Sequence, residues 1–175
     1  GELLTLQPSF RVYKNGDSQI RYIGSVQNFW ENHKMKFPLV GELLTKTVLA
    51  KLLWYIDCLS FKLTNKSMTG IVYKSMPFGA YPELYDRILS NEDIKVELSW
   101  IKDYECYLIK EVKSDFKLTN DEKSIIEFIV DKFKDFNAKE IVNYMHQEKA
   151  YQETELFNII SYNYSSNIRL GDDYK

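Results

Sequence analysis

Two cysteines, two histidines, four prolines and seven glycines are all that occur in 175 residues, and each scarcity removes a class of function. Cys58 and Cys106 stand far apart without C-x-x-C spacing, so no disulfide framework or redox motif is built from them. They read as two inert thiols of a cytoplasmic protein, Cys58 inside an apolar helical run. The order His33, Cys58, Cys106, His146 matches no common zinc spacing, and no metal is expected. GxGxxG and GxxxxGK[ST] are absent, so Gly70 and Gly79 read as turn positions and no nucleotide cofactor is expected. The longest apolar run, Val48 to Phe61, is broken by Lys51 and Asp57, which excludes a membrane span and a signal-peptide core there. Charge of one sign is also missing: the net charge is −2 with Lys and Glu interspersed, which disfavours nucleic acid as a direct partner.

What the chain does have is aromatic bulk. Aromatics make up 15% of the residues, carried by 13 Tyr and 10 Phe, and apolar residues make up 45%. That composition fits one folded domain burying roughly 70% of its unfolded surface. Most rings belong in the core, but tyrosine also suits contact surfaces, because it combines a large apolar area with a polar tip.

Hydrophobic spacing and turn chemistry divide the chain further. Ser9 to Ile23 flanks Asn15-Gly16 with short apolar runs and reads as a β-hairpin, followed by a short helix over Ser25 to Lys34 and a connector from Lys36 to Gly41 containing Pro38. From Thr45 the spacing of Val48, Leu49, Leu52, Leu53, Ile56 and Leu59 predicts a central buried helix ending near Asn65. Met68-Thr69-Gly70 then turns into a strand over Ile71 to Ser75, and Pro82 with Glu83 reads as the start of another helix. Lys95 to Trp100 and Glu105 to Val112 alternate as an antiparallel pair. Thr119 with Glu122, and Asn137 with Glu140, form capping-box patterns that open two helices, the second running to about Gln147. Ser161 caps a short helix over Tyr162 to Asn167, and the polar tail GDDYK is expected to fray. The expected fold is α+β and predominantly α-helical, a compact helical domain with a small antiparallel sheet and an N-terminal β-hairpin. Residues 1–44 read as an extension, 45–170 as the domain and 171–175 as a flexible tail. Because the chain opens Gly1-Glu2-Leu3 without a methionine, it reads either as starting with a cloning remnant or as a piece of a longer protein, whose missing upstream module would precede residues 1–44.

Four segments together resemble the Panacea domain family, the SocA-like, phage-associated antitoxins: Lys51 to Gly70 (KLLWYIDCLSFKLTNKSMTG), Tyr73 to Asp86 (YKSMPFGAYPELYD), Phe133 to Thr154 (FKDFNAKEIVNYMHQEKAYQET) and Ile159 to Tyr164 (IISYNY). They stand in the family's order and spacing, over roughly Lys46 to Leu170. The chain departs from the pattern at Gly79-Ala80, where the family usually has Gly-Pro, and at Gln147, where the family usually has an acidic residue after the histidine. The resemblance implies a cytoplasmic, non-enzymatic antitoxin of a bacterial or phage toxin-antitoxin system that binds its cognate protein toxin. In some relatives the domain delivers the toxin to an ATP-dependent protease, and many carry an upstream helix-turn-helix, so DNA would be reached only through such a module. A sensor or dimerisation domain of a transcriptional regulator is the alternative.

Individual residues carry two readings each. His146 with Glu148 suits a general base or metal ligand, but a histidine at a helix C-terminus more often hydrogen-bonds a carbonyl there. Asp57, in an otherwise apolar helix, needs buried donors, and the Thr69-Gly70 turn is the expected source. Tyr73, Met76, Phe78 and Tyr81 flank Pro77 and Gly79 and read either as a rigid contact loop or as core beneath that loop. With His146, Glu148 and Tyr151 they form the expected partner-binding set, and Asp57, Thr69, Gly70, Gly79, Pro82 and Asp86 the structural one. A small hydrolase would require His146, Glu148 and Asp57 to converge.

Overall fold

In a computed structural model the structure describes residues 17–36, 43–101, 104–113 and 117–174. The elements run α1 (Asp17–Lys36), α2 (Lys46–Thr64), β1 (Tyr73–Met76), β2 (Gly79–Pro82), α3 (Tyr85–Leu89), β3 (Ile94–Ile101), β4 (Tyr104–Val112), α4 (Asn120–Phe133), α5 (Ala138–His146), α6 (Lys149–Glu153) and a 3-10 helix (Tyr162–Asn167). The fold is α+β and mostly helical, with two small antiparallel hairpins, β1–β2 and β3–β4.

Helix α2 is the axis of the molecule. Thr45 accepts from Val48 N–H at 3.1 Å to start it, and Asn65, at φ 65°, ends it with its own N–H on Phe61 O. Every residue from Val48 to Ser60 is buried, including Lys51 and Asp57. The apolar stripe thus lies on a helix wrapped on all sides, by α1, α4, α5, β2, β4 and the 3-10 helix. Both expected capping boxes are present: Thr119 and Glu122 open α4, and Asn137 and Glu140 open α5. Glu122 also accepts from Tyr22 OH at 2.7 Å, which ties α4 to α1.

Several expectations are corrected. Asp17 to Ile23, the second arm of the expected N-terminal hairpin, is the first part of α1, where Ile20, Ile23 and Val26 enter the core at helical spacing. Ser9 to Gly16 and the connector over residues 37–42 lie outside the described residues. Pro82 does not open a helix. It closes β2 opposite Tyr73, and α3 begins later, after Leu84 at φ 58° with no side-chain cap. The fixed φ of proline suits an extended edge as well as a first helical turn, and burial against the core decides for the strand. Gly171 to Tyr174, expected to fray, is docked: Lys62 holds Asp172 at 2.8 Å, Tyr174 N–H bonds Gly171 O, and the Tyr174 ring packs edge-on to Phe128.

Candidate functional site

The segment read as a loop between Met76 and Tyr81 is a hairpin with a two-residue turn, Pro77-Phe78. Tyr73 pairs with Pro82 and Met76 with Gly79. Gly79 sits at φ 106°, and a Cβ there would lie 2.6 Å from Met145 Sδ and 3.1 Å from Lys51 Cε. Left-handed backbone and close approach therefore both demand glycine. Ala80 uses an N–H that a proline would lack: it donates to Met145 Sδ at 3.1 Å.

The tyrosine–methionine–phenylalanine set divides on this hairpin. Tyr73 is core, its hydroxyl on Asp57. Tyr81 is half-buried, edge-on to Tyr85, with the Lys46 ammonium above it. Lys46 is in turn ion-paired with Asp86. Met76 is half-buried, and Phe78, at the tip, is 69% exposed.

From the opposite side α5 and α6 grip the turn. His146 Nε2 donates to Pro77 O at 3.1 Å, which places the ring proton on Nε2. Tyr151 OH donates to Met76 O at 2.7 Å, and the two rings stack at 4.6 Å with an interplanar angle of 18°. Turn carbonyls that would otherwise need water are satisfied by side chains, so the tip is held stiffly while Phe78 projects. The carbonyl-bonding role expected of a helix-terminal histidine is met on a neighbouring hairpin instead of on its own helix.

Glu148, two residues beyond, is 1% exposed and does not join that surface. It accepts from Tyr55 OH at 2.6 Å and Arg169 N–H at 3.1 Å, bonds that brace α2, α6 and the chain after the 3-10 helix. Burial raises its carboxyl above the usual range, opposed by these donors. Asp57 is bound as the sequence indicates. Met68 N–H and Thr69 N–H donate to Oδ1 at 2.8 and 2.7 Å, while Thr69 Oγ1 and Tyr73 OH donate to Oδ2 at 2.5 and 2.6 Å. Full burial pushes this carboxyl up to about 6, against the pull of those bonds. Gly70 follows at φ 79°, completing the turn. His146, Glu148 and Asp57 are thus each engaged with different structural partners. Among the described residues, no group of three or more His, Cys, Asp or Glu could hold a metal ion. His33, from the rejected zinc set, pairs with Asp135 at 2.9 Å.

Sequence reading missed two features. Lys51 is 1% exposed and donates to Ala80 O at 3.0 Å, beneath the hairpin. Burial lowers its ammonium to about 8. The second feature is the stretch Leu156 to Ile159, which follows α6 and returns along β1. Leu156, Phe157 and Ile159 are 46%, 59% and 56% exposed. Phe157 takes φ 71°, a left-handed conformation costing a bulky residue on the order of 1–2 kcal/mol, while its N–H bonds Ser75 O at 2.6 Å. The available signal was the apolar pair Leu156-Phe157 inside the polar stretch Glu153 to Asn158. Because Ser75 lies one residue before Met76, this stretch borders the base of the hairpin turn.

No helix among the described residues is long and apolar enough to cross a membrane. No curated protein and no solved structure matches this chain. The family model described as antitoxin SocA-like, Panacea domain matches residues 49–152. That span takes in most of α2, both hairpins, α3, α4, α5 and most of α6; the fourth motif, Ile159 to Tyr164, lies beyond it. With more than half its length matched, the chain belongs to the SocA-like, Panacea-domain antitoxin family.

Proposed function

We propose that this chain is a cytoplasmic antitoxin that neutralises a cognate protein toxin by direct binding, and that the surface formed by Phe78 with Leu156, Phe157 and Ile159 is the contact. The observation that carries the reading is exposed apolar bulk on a rigid mount. Phe78 and Phe157 are 69% and 59% exposed, and each is set in backbone fixed by hydrogen bonds from other elements. A pre-ordered aromatic loses little freedom on binding, which is what an anchor residue requires. His146 and Tyr151 serve this surface as positioning residues.

A second exposed apolar set, Leu98, Trp100 and Tyr107, lies on one face of the β3–β4 ribbon. The ribbon is tied to the body at Ile109, whose N–H bonds Leu44 O, and at Lys110, whose carbonyl accepts from Gln27, positions away from Trp100, so this set is assigned no part in toxin contact. Coexpression supplies the test: the product of the adjacent gene should arrest growth alone and be silenced by this chain, with a complex on size exclusion. Absence of both rescue and complex would overturn the proposal.

A further inference from the structure

Phe157 to Ile160 add a short third strand to the β1–β2 hairpin. Phe157 N–H donates to Ser75 O at 2.6 Å, Ser75 N–H to Asn158 O at 2.9 Å, and Ile160 N–H to Tyr73 O at 2.9 Å; Lys74 and Ile159 are the bridged pair. These bonds flank that pair instead of joining it, so the N–H and C=O of Ile159 both point away from β1. Neither has a hydrogen-bond partner among the described residues. The opposite edge of this small sheet is closed. On β2, Ala80 N–H meets Met145 Sδ and Ala80 O accepts from Lys51 Nζ.

We infer that the Ile159 edge receives an extended segment of the protein partner by strand addition, an inference that rests on the binding reading above. An outward N–H and C=O from one residue is the half of a narrow antiparallel pair that only an extended chain completes. A helix frees N–H groups at one end and C=O groups at the other, and so does not offer the two side by side. Exposed edges are ordinarily blunted by lysine, proline or an inward charge, yet here the edge residue is a β-branched isoleucine, 56% exposed. The edge is short by construction. Phe157 turns left-handed on one side and Ser161 caps the 3-10 helix on the other, so the added strand pairs at Ile159 and directs its apolar side chains toward Phe157 and Phe78.

The test uses the purified chain and the product of the adjacent gene. Ile159→Pro removes the outward donor along with the isoleucine side chain and places a ring where the incoming strand would lie, while all three bonds to β1 remain. Ile159→Val keeps the backbone groups. The expected result is affinity about tenfold or more lower for Ile159→Pro than for Ile159→Val, both with unchanged Tm. In the wild type, hydrogen exchange at the Ile159 amide should slow on complex formation; this measurement decides the matter if Ile159→Pro does not fold. Undiminished affinity of a folded Ile159→Pro, or an Ile159 amide that exchanges as fast in the complex as alone, overturns strand addition. If Phe157→Asp still abolishes binding in that case, the binding reading stands. A wild-type chain that forms no complex overturns both.

Discussion

Buried charge decides much at the level of single residues. Asp57 was legible in the sequence as a group needing donors, and the nearby Thr69-Gly70 turn supplied their address. Lys51 was legible only as an interruption, because its acceptor, Ala80 O, comes from a hairpin the sequence did not reveal. The two differ in chemistry. The Asp57 side chain is fully engaged, so Asp57→Ala should destabilise by about 3–5 kcal/mol in denaturant melts, by stranding buried donors. Asp57→Asn, whose amide lets Thr69 and Tyr73 hydroxyls turn to accept, should lose less.

Lys51 gives a pH dependence with a definite sign. Its ammonium is lowered to about 8 in the fold from an ordinary 10.5, so between these values the unfolded chain binds the proton and the folded chain does not. Stability must therefore rise with pH across that window. Relative to Lys51→Met, which does not titrate there, the wild type should gain on the order of 2–3 kcal/mol between pH 8 and 10.5. Melts at several pH values measure this directly, and a flat difference would remove the buried-ammonium account.

At the scale of elements, local chemistry was read well where it was self-contained. Thr45, Thr119 and Asn137 each bond an amide within three residues, and those helices start where expected. The β3–β4 pair was visible in its alternation. Failures came where tertiary packing chose between local options. Asn15-Gly16 suggested a hairpin, yet Ile20, Ile23 and Val26 gain more by burying one helical face. Pro82 and the Met76 to Tyr81 turn were misread for the same reason: the β1–β2 hairpin depends on Met145, Lys51, His146 and Tyr151, distant in sequence. Gly79→Ala tests that dependence. It should lower stability by about 2–3 kcal/mol, through φ strain and displacement of Met145.

The whole molecule separates what holds it together from what it presents. Many of the tyrosines, suggested by composition as contact residues, are internal pins: Tyr55 to Glu148, Tyr73 to Asp57, Tyr85 to Lys46 O, Tyr151 to Met76 O and Tyr162 to Ile71 O. Phenylalanine, leucine and isoleucine supply the presented surface at the hairpin tip and the chain after α6. The second half of that surface was illegible in the sequence, because nothing local signals that residues 157–160 return to β1. Phe157 makes the separation measurable, since its left-handed φ favours glycine. Phe157→Gly should leave Tm unchanged or raise stability by about 0.5–1 kcal/mol while removing a binding anchor.

The central claim is tested most directly by calorimetric titration of the adjacent gene's product with wild-type chain, Phe78→Ser, Phe157→Gly and Trp100→Ser. Affinity should fall by about 100-fold or more in the two phenylalanine variants at undiminished Tm, and stay within about twofold in Trp100→Ser. Wild-type affinity in Phe78→Ser and Phe157→Gly, with the loss falling on Trp100→Ser instead, would contradict the account and move the contact to the β3–β4 ribbon.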